Sequence, residues 1–297
     1  MRDFDWRLKE KLMETFRFTL KFFEDYQLRY YACGGTALGA VRHHGIIPWD
    51  DDIDIYMPRA DYDRMMSLAS TLHNSPYRIV SPKDEGYYLP YAKIIDTRTT
   101  LWEMKRCPFI TGVFVDIFPL DYFDIPKSEV SKIQFADSHL FKIYRRHLFK
   151  YDISDLLGLL KNKKPLSVGR YLLDQVQNSL GYKKKALMHY QRNQERYAKT
   201  DEANARYCVC VPQWEGKVFE REWFDKGVLF PFEDIQIVVP DGYDAYLTLL
   251  YGDYMTPPPL EYQTSNHSRD FRYYINLEES LDMDAIKQRI RIGEYEK

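Results

Sequence analysis

The feature that most constrains this chain of 297 residues is an acidic run set among isoleucines. Asp50, Asp51, Asp52 and Asp54 follow one another closely in the stretch IIPWDDDIDI. Alternation along a strand predicted over residues 52–56 puts two of these carboxylates on one face and the isoleucines on the other. Carboxylates that lie so near each other repel unless a cation lies between them. The run therefore predicts a divalent-metal site, and magnesium suits it because it leaves positions for water and phosphate.

Two other interpretations of the acidic run were weighed. An EF-hand calcium loop would use Asp50, Asp52 and Asp54 as its first ligands, but Ile55 and Asp61 stand where that loop needs glycine and glutamate. A β-branched residue resists positive φ, so the calcium loop is set aside. A solvated acidic loop stays open, although the strand pattern and the upstream glycines disfavour it.

A glycine pair lies just upstream of the aspartates. Gly34 and Gly35 precede a short helix that we predict over residues 37–43, with Thr36 as its cap and Gly45 at its end. Free N–H groups at a helix start attract phosphate, and glycine allows close approach. The stretch GGTALGAV is neither a Walker A loop nor a dinucleotide fingerprint.

Three further residues are candidates for the same site. Asp116 lies in the apolar run 113–118, where a lone carboxylate either bonds backbone N–H groups or joins the metal site; we favour the metal. Lys93, in the apolar run 91–95, either neutralises a phosphate or extends its amine to the surface. Arg42, between the glycines and the aspartates, is a candidate phosphate clamp.

Hydrophobic periodicity predicts an α/β (α+β) fold, in which a mixed β-sheet is flanked by helices. A helix is expected over 4–29, with further helices over 59–72 and 242–251 and strands over 30–33, 52–56, 78–80, 91–95, 113–118, 207–211 and 235–239. Residues 127–200 are helix-like, so we predict a core interrupted by a helical insertion. The expected divisions are a catalytic core over 1–126, a basic insertion over 127–206 and a C-terminal part over 207–297 that completes the core and its acceptor side.

The predicted insertion is basic, although the whole chain has a net charge of −2. Residues 139–199 hold 14 Lys and Arg against 4 Asp and Glu, a local charge of +10. Such charge indicates either a solvated helical face or contact with an anionic membrane surface. A nucleic-acid partner is not expected, because no base-stacking or groove-reading motif accompanies the charge.

Composition also limits the cellular setting. The sequence has no run of 18 apolar residues and begins with charged residues, so neither a membrane span nor a signal peptide is predicted. The 4 cysteines form no CxxC pair, which favours reduced thiols over zinc ligands. We therefore expect a cytoplasmic protein that can bind at the inner face of the membrane.

The motifs together resemble the nucleotidyltransferase superfamily, and the string GGTALGAVRHHGIIPWDDDIDI resembles the LicD family, which includes the fukutin-related proteins. The resemblance covers about residues 30–125 and 230–268. Further matching stretches are Ala92-Lys93-Ile94, Arg98-Thr99-Thr100, Val115 to Asp121, Tyr243 to Leu247, and Tyr251 to Met255 followed by Pro257-Pro258.

The resemblance implies a LicD-like phosphotransferase. It would move a phosphoalcohol from a CDP-activated alcohol such as CDP-choline, CDP-ribitol or CDP-glycerol to a hydroxyl of a cell-surface glycan, such as lipopolysaccharide, or its lipid-linked precursor, and CMP would leave. It implies that Mg²⁺, with Mn²⁺ as an alternative, is held by Asp52, Asp54 and Asp116, the last of which also orients or deprotonates the acceptor hydroxyl. The implied donor-phosphate residues are Gly34, Gly35, Thr36, Arg42 and Lys93, and the accessory residues are Asp50, Asp51 and His267.

Two other functions fit the same motifs. A nucleotidyltransferase would attach a nucleoside monophosphate to a small acceptor. An inactive, metal-stabilised binding module would bind a donor without turnover, although such a module would have no chemical need for all three aspartates.

Overall fold

The computed structural model describes residues 3–151, 153–162, 164–210, 216–264 and 273–296. The fold is mixed α/β, as predicted. Its helices are α1 Asp3–Asp25, α2 Gly34–His43, α3 Arg59–Ser67, α4 Lys127–Leu148, α5 Ile153–Lys161, α6 Pro165–Ser179, α7 Tyr182–Tyr197, α8 Tyr243–Tyr251 and α9 Met283–Arg291. Its strands are β1 Tyr31–Ala32, β2 Asp54–Pro58, β3 Tyr77–Val80, β4 Ala92–Asp96, β5 Thr100–Trp102, β6 Phe114–Phe123, β7 Tyr207–Val209, β8 Phe219–Glu220, β9 Gly227–Phe232, β10 Ile235–Pro240 and β11 Tyr274–Asn276.

The main sheet is organised around β6. Its order is β1-β2-β6-β4-β3, and β7 joins the far end of β6 and pairs with β8. β2 runs parallel to β6, whereas β4 and β7 run antiparallel to it, which confirms the mixed sheet. All 10 residues of β6 are buried. A nearly continuous apolar run is typical of a strand that is covered on both faces, so the sequence of β6 explains its central place.

Helix α1 packs against β4 and β6. Leu8, Leu12, Phe16 and Phe23, which the helical spacing predicted to share one face, are all buried. Each such side chain contributes about 1.5–3 kcal/mol when it leaves water. The amphipathic pattern therefore fixes both the helix and the sheet face that it covers.

The start of α2 differs from the prediction. The helix begins at Gly34 and its N-terminal flanking residue is Cys33, so Thr36 is not its cap. The Thr36 hydroxyl instead accepts a hydrogen bond of 2.8 Å from the backbone N–H of Asp54. At the other end His44, rather than Gly45, has the left-handed conformation, with φ of 58°.

Strand β2 begins at Asp54, which is later than the predicted strand over residues 52–56. Asp52 therefore belongs to the preceding loop and does not share a strand face with Asp54. The helix predicted over 59–72 is also shorter, because α3 ends at Ser67 and a short 3₁₀ turn follows over Ala69–Leu72.

A hairpin of β9 and β10 was only half predicted. β10 matches the predicted strand over 235–239, but its partner β9 was missed, since Pro231 in its sequence argues against an interior strand. The hairpin turn includes Glu233, whose carboxylate accepts a hydrogen bond of 2.9 Å from the backbone N–H of Ile46. The hairpin thus holds the segment that leads into the acidic run.

The basic segment is helical, as predicted. α4 and α7 pack on each other through Phe141, Tyr144, Ala186 and Tyr190. Across the described ranges, the helices include none with the length and apolar character needed to cross a bilayer. The domain boundaries given above stay a prediction.

Candidate active site

Three of the predicted site residues lie side by side across three neighbouring strands. Asp54 of β2 is paired with Asp116 of β6, and Asp116 is paired with Lys93 of β4. Residues directly opposite each other in a sheet share a face. The fold therefore brings together two carboxylates and an ammonium group from segments that are far apart in the sequence.

Lys93 is held inside this row. It is 1% exposed, and its Nζ atom lies 2.8 Å from Oδ1 of Asp116 and 3.2 Å from Oε1 of Glu103. The alternative in which Lys93 extends to the surface is therefore wrong. A buried ammonium group needs this compensation, because removal of a charge from water is costly.

Glu103 is a site residue that the sequence analysis missed. It pairs with Lys93 and also accepts a hydrogen bond of 2.7 Å from the hydroxyl of Tyr88. It lies just after β5 in an ordinary polar sequence, so no local pattern marks it. Glu103 lies 10 residues after Lys93, and the turn between β4 and β5 brings the two side chains together.

The loop before β2 holds a second group of carboxylates. Asp50, Asp51 and Asp52 each offer an oxygen atom, and these atoms lie within 4.8 Å of one another. Gly35 permits this arrangement, since a Cβ atom at that position would lie 2.4 Å from Oδ2 of Asp50. The predicted accessory residues Asp50 and Asp51 are therefore neighbours of Asp52.

The carboxyl group of Asp54 is strongly perturbed by its surroundings. Burial, and then the like charges of Asp52, Asp116 and Asp50, raise its pKa well above the usual range, while Lys93 opposes the shift. Its Oδ1 atom is buried and accepts no hydrogen bond from the residues that the structure describes. The arrangement concentrates negative charge, which a bound cation would relieve.

The donor set fits magnesium. The neighbouring ligand atoms of Asp50, Asp51 and Asp52 are carboxylate oxygens, which a hard divalent cation prefers. Asp54 is not in that group, but its Oδ1 atom has unused capacity as an acceptor. Ligation of a metal by Asp52, Asp54 and Asp116 stays a prediction, and Asp50 and Asp51 lie where they can contribute to it.

The start of α2 is tied to the site by hydrogen bonds. The backbone N–H of Gly34 donates a bond of 2.9 Å to the hydroxyl of Tyr246, and the Thr36 hydroxyl accepts the bond from Asp54 described above. Gly34 has a φ of 52°, a conformation that glycine adopts without strain. Phosphate binding by Gly34, Gly35 and Thr36 stays a prediction, while the observed hydrogen bonds hold the start of α2 against α8 and β2.

A cavity of about 330 Å³ adjoins the acidic loop. It is lined in part by Gly35, Arg42, Trp49, Asp50 and Tyr251. The Arg42 guanidinium reaches the cavity while one of its nitrogens donates a hydrogen bond of 2.7 Å to the backbone oxygen of Tyr254. Arg42 is thus placed beside the predicted site, whereas His267 lies outside the described residues.

The sequence of the chain is similar to those of LicD family members. A family model described as LicD/FKTN/FKRP, nucleotidyltransferase domain, matches residues 27–160, the range that holds Gly34, Asp54, Lys93 and Asp116. The "Lipopolysaccharide cholinephosphotransferase LicD" of Haemophilus influenzae is 32% identical over 254 residues, which cover 83% of this chain and 89% of that protein. The chain belongs to the LicD family.

A second relative matches over a shorter range. The human "Ribitol 5-phosphate transferase FKRP" is 48% identical over 44 residues, which cover 15% of this chain and 9% of that protein. The mouse protein of the same name matches to the same extent.

Proposed function

We propose that the chain is a phosphotransferase that moves a phosphoalcohol from a CDP-activated donor to a hydroxyl group of a cell-surface glycan or its lipid-linked precursor. By their names, the relatives are transferases of cholinephosphate and of ribitol 5-phosphate, and the first acts on lipopolysaccharide. The observation that carries the proposal is the row of Asp54, Asp116 and Lys93, because it lies inside the range that the family model matches.

The proposed step is a displacement at phosphorus. The acceptor hydroxyl oxygen bonds to the phosphorus atom that carries the alcohol, the bond from that phosphorus to the bridging oxygen breaks, and CMP leaves with the electron pair. Phosphoryl transfer depends on positioning and charge neutralisation more than on covalent help from the protein. In this proposal the carboxylate of Asp116 accepts the proton of the acceptor hydroxyl. Lys93 positions that carboxylate through the 2.8 Å contact.

The acidic side chains have a separate task. A bound magnesium ion would supply positive charge to the donor phosphates and the leaving oxygen. Asp52, Asp54 and Asp116, with Asp50 and Asp51 beside them, would hold it there. The burial of Asp54 favours this role. Its carboxylate lies among like charges and has an unused acceptor atom, so the ionised form is more stable with a bound cation than without one.

The cavity beside Asp50 is proposed as the donor pocket. Trp49, Tyr251 and Tyr262 offer aromatic faces, which suit a nucleobase or a cationic headgroup, and Arg42 offers a guanidinium for phosphate. Gly35 lies on its wall and lets the ligand approach α2. With the donor in this pocket, its phosphates would lie between Arg42 and the carboxylates.

The test is a donor panel. Purified protein, magnesium and a lipopolysaccharide-type glycan are incubated with CDP-choline, CDP-ribitol or CDP-glycerol that carries a label on the alcohol. We expect release of CMP and transfer of label to the glycan with one donor. No CMP release with any donor, under conditions where a thermal-shift assay shows donor binding, would favour an inactive binding module.

A nucleotidyltransferase is the second candidate, because the description of the matching family model names that domain. It would consume a nucleoside triphosphate and release pyrophosphate. A parallel incubation with nucleoside triphosphates separates the two activities, since the proposed transferase releases CMP and no pyrophosphate.

The proposed compartment is the cytoplasm. Cys33, Cys107, Cys208 and Cys210 are all buried free thiols, as the sequence predicted. Reduced thiols suit a reducing compartment, which is where CDP-activated donors would meet the site.

A further inference from the structure

Two consecutive helices of the basic segment expose an unusual amount of apolar surface. α5 ends at Lys161, α6 begins at Pro165, and the two helices contact each other, so we refer to them as the α5–α6 hairpin. Monomeric soluble proteins rarely expose contiguous apolar surface of this kind unless it binds something. The large apolar residues of the hairpin that are at least half exposed are Ile153, Leu157, Leu160, Leu166, Leu172, Leu173, Val176 and Leu180.

The exposed residues follow helical periodicity. On α5 they recur at positions 153, 157 and 160, and on α6 at 166, 173 and 176, with Leu180 directly after the helix, so each helix carries an apolar stripe along one side. Ile153 is 77% exposed and Leu166 is 88% exposed. An apolar stripe normally faces the core, but here both stripes face solvent.

The exposed charges of the hairpin are positive. Lys161, Lys164 and Arg170 are exposed, the first two at the tip of the hairpin. The acidic residues among described positions 153–162 and 164–185 are Asp155 and Asp174. Asp155 pairs with Lys105 at 2.8 Å, and Asp174 is buried with Arg146 and Arg170 nearby.

We infer that the α5–α6 hairpin docks on the surface of a bilayer that contains anionic lipids. Apolar side chains that enter the boundary between headgroups and acyl chains, together with basic residues beside anionic lipid, are the two contributions that hold an interfacial helix. A second copy of the chain fits less well, because self-association through this face would bring the same basic residues together. A purely solvated basic face would not need the leucines.

The inference concerns a surface and not the transfer reaction, so its test needs neither donor nor acceptor. Binding of the full chain to sedimenting vesicles is compared for phosphatidylcholine alone and for phosphatidylcholine mixed with phosphatidylglycerol. We expect binding to the anionic vesicles that weakens as salt is raised, because the Debye length falls. Absence of binding to anionic vesicles at low salt overturns the inference.

Two double variants separate the contributions. Leu157→Ser with Leu173→Ser removes apolar area from both stripes, and we expect roughly tenfold or greater loss of vesicle binding. Lys161→Glu with Lys164→Glu is expected to abolish the preference for anionic over neutral vesicles. Circular dichroism checks that the hairpin stays helical in each variant. If the serine double variant loses helicity, the vesicle binding of the charge double variant decides whether the inference holds.

Matched control residues are found on the surface of the α/β part of the fold, away from the α5–α6 hairpin. Leu229 of β9 is 60% exposed and Lys226 is exposed, and both lie outside the basic segment. Leu229→Ser and Lys226→Glu should bind vesicles as the unchanged chain does. If the serine double variant binds vesicles normally but converts a dimer to a monomer in sedimentation velocity, the face is a self-interface and the inference is wrong.

Discussion

The Nζ atom of Lys93 lies 2.8 Å from Oδ1 of Asp116, inside a sheet where both residues are buried. This contact links β4 to β6 at the point where β6 pairs with Asp54 of β2. An ion pair in such a place fixes the direction of a carboxylate, and it makes the stability of the sheet depend on a residue of the candidate active site.

Replacement of Lys93 is therefore expected to destabilise the protein. Lys93→Met keeps most of the volume but leaves Asp116 and Glu103 without their buried cation, which should cost about 3–5 kcal/mol. Urea denaturation in the presence of a chelator measures this. Lys226→Met on the surface is the control, and a cost below about 1 kcal/mol for Lys93→Met would contradict the role given to the pair.

Gly35 is expected to matter through Asp50. A Cβ atom there would lie 2.4 Å from Oδ2 of Asp50, so Gly35→Ala must displace that carboxylate. We expect the magnesium concentration needed for half-maximal activity to rise roughly tenfold, the lower end of the effect seen when groups around a metal site are disturbed.

Gly169 provides the matched glycine control. A Cβ atom there meets nothing within 4 Å, and the residue lies inside α6. Gly169→Ala should stabilise the helix by about 0.5–1 kcal/mol and leave the magnesium requirement unchanged. If Gly35→Ala also leaves the magnesium concentration for half-maximal activity unchanged, Asp50 is not part of the metal site.

A second buried ion pair joins α3 to β6. Arg59 Nε and Nη2 donate to the two carboxylate oxygens of Asp121 at 2.6 and 2.9 Å. Burial raises the pKa of Asp121 although Arg59 opposes the shift. Asp121→Asn removes the buried partner charge of Arg59 and leaves the exposed Asp63 at 3.6 Å. It should cost about 3–5 kcal/mol of unfolding free energy.

The exposed ion pair of Arg206 and Asp124 tests whether burial is the reason for the large loss of stability expected in Asp121→Asn. Its atoms lie 2.6 Å apart, but both side chains are more than half exposed. Asp124→Asn should cost no more than about 1 kcal/mol in the same denaturation experiment. Equal costs for the two asparagine variants would refute the burial argument.

Acidification is expected to destabilise the basic segment through His147. Burial lowers the pKa of this histidine below its ordinary value, although Asp174 opposes the shift. The unfolded chain then binds more protons than the folded chain below about pH 6.5, so stability falls as the pH drops. His147→Phe should flatten the loss between pH 7 and pH 5.5, whereas the same change at exposed His139 should not; equal slopes would contradict the assignment.

Local sequence patterns were sufficient to predict part of the fold and of the candidate site. The rest depends on contacts between elements, which no local pattern shows. The helical spacing of Leu8, Leu12 and Phe16 identified the buried face of α1, and the apolar run around Asp116 identified a covered strand. Glu103 could not be found in this way, because its role depends on how the chain turns after β4 and returns its carboxylate to Lys93.

Two local interpretations were wrong for the same physical reason. The Thr36 hydroxyl accepts from the backbone N–H of Asp54, and the pairing of β2 with β6 begins only at Asp54, so Asp52 stays in the loop. Partners that lie far away in the sequence set both outcomes. The three acidic residues of that loop thereby group with one another, which strand alternation did not predict.

The central claim is that Asp54 and Asp116, from two separated strands, act in one transfer site. The most direct test is the rate of CMP release from the preferred CDP-alcohol by Asp54→Asn and by Asp116→Asn, each compared with exposed Asp284→Asn. The account predicts that both site variants stay folded and lose roughly 100-fold or more in rate, while the control keeps its full rate. A site variant that is folded and releases CMP at the unchanged rate would contradict it.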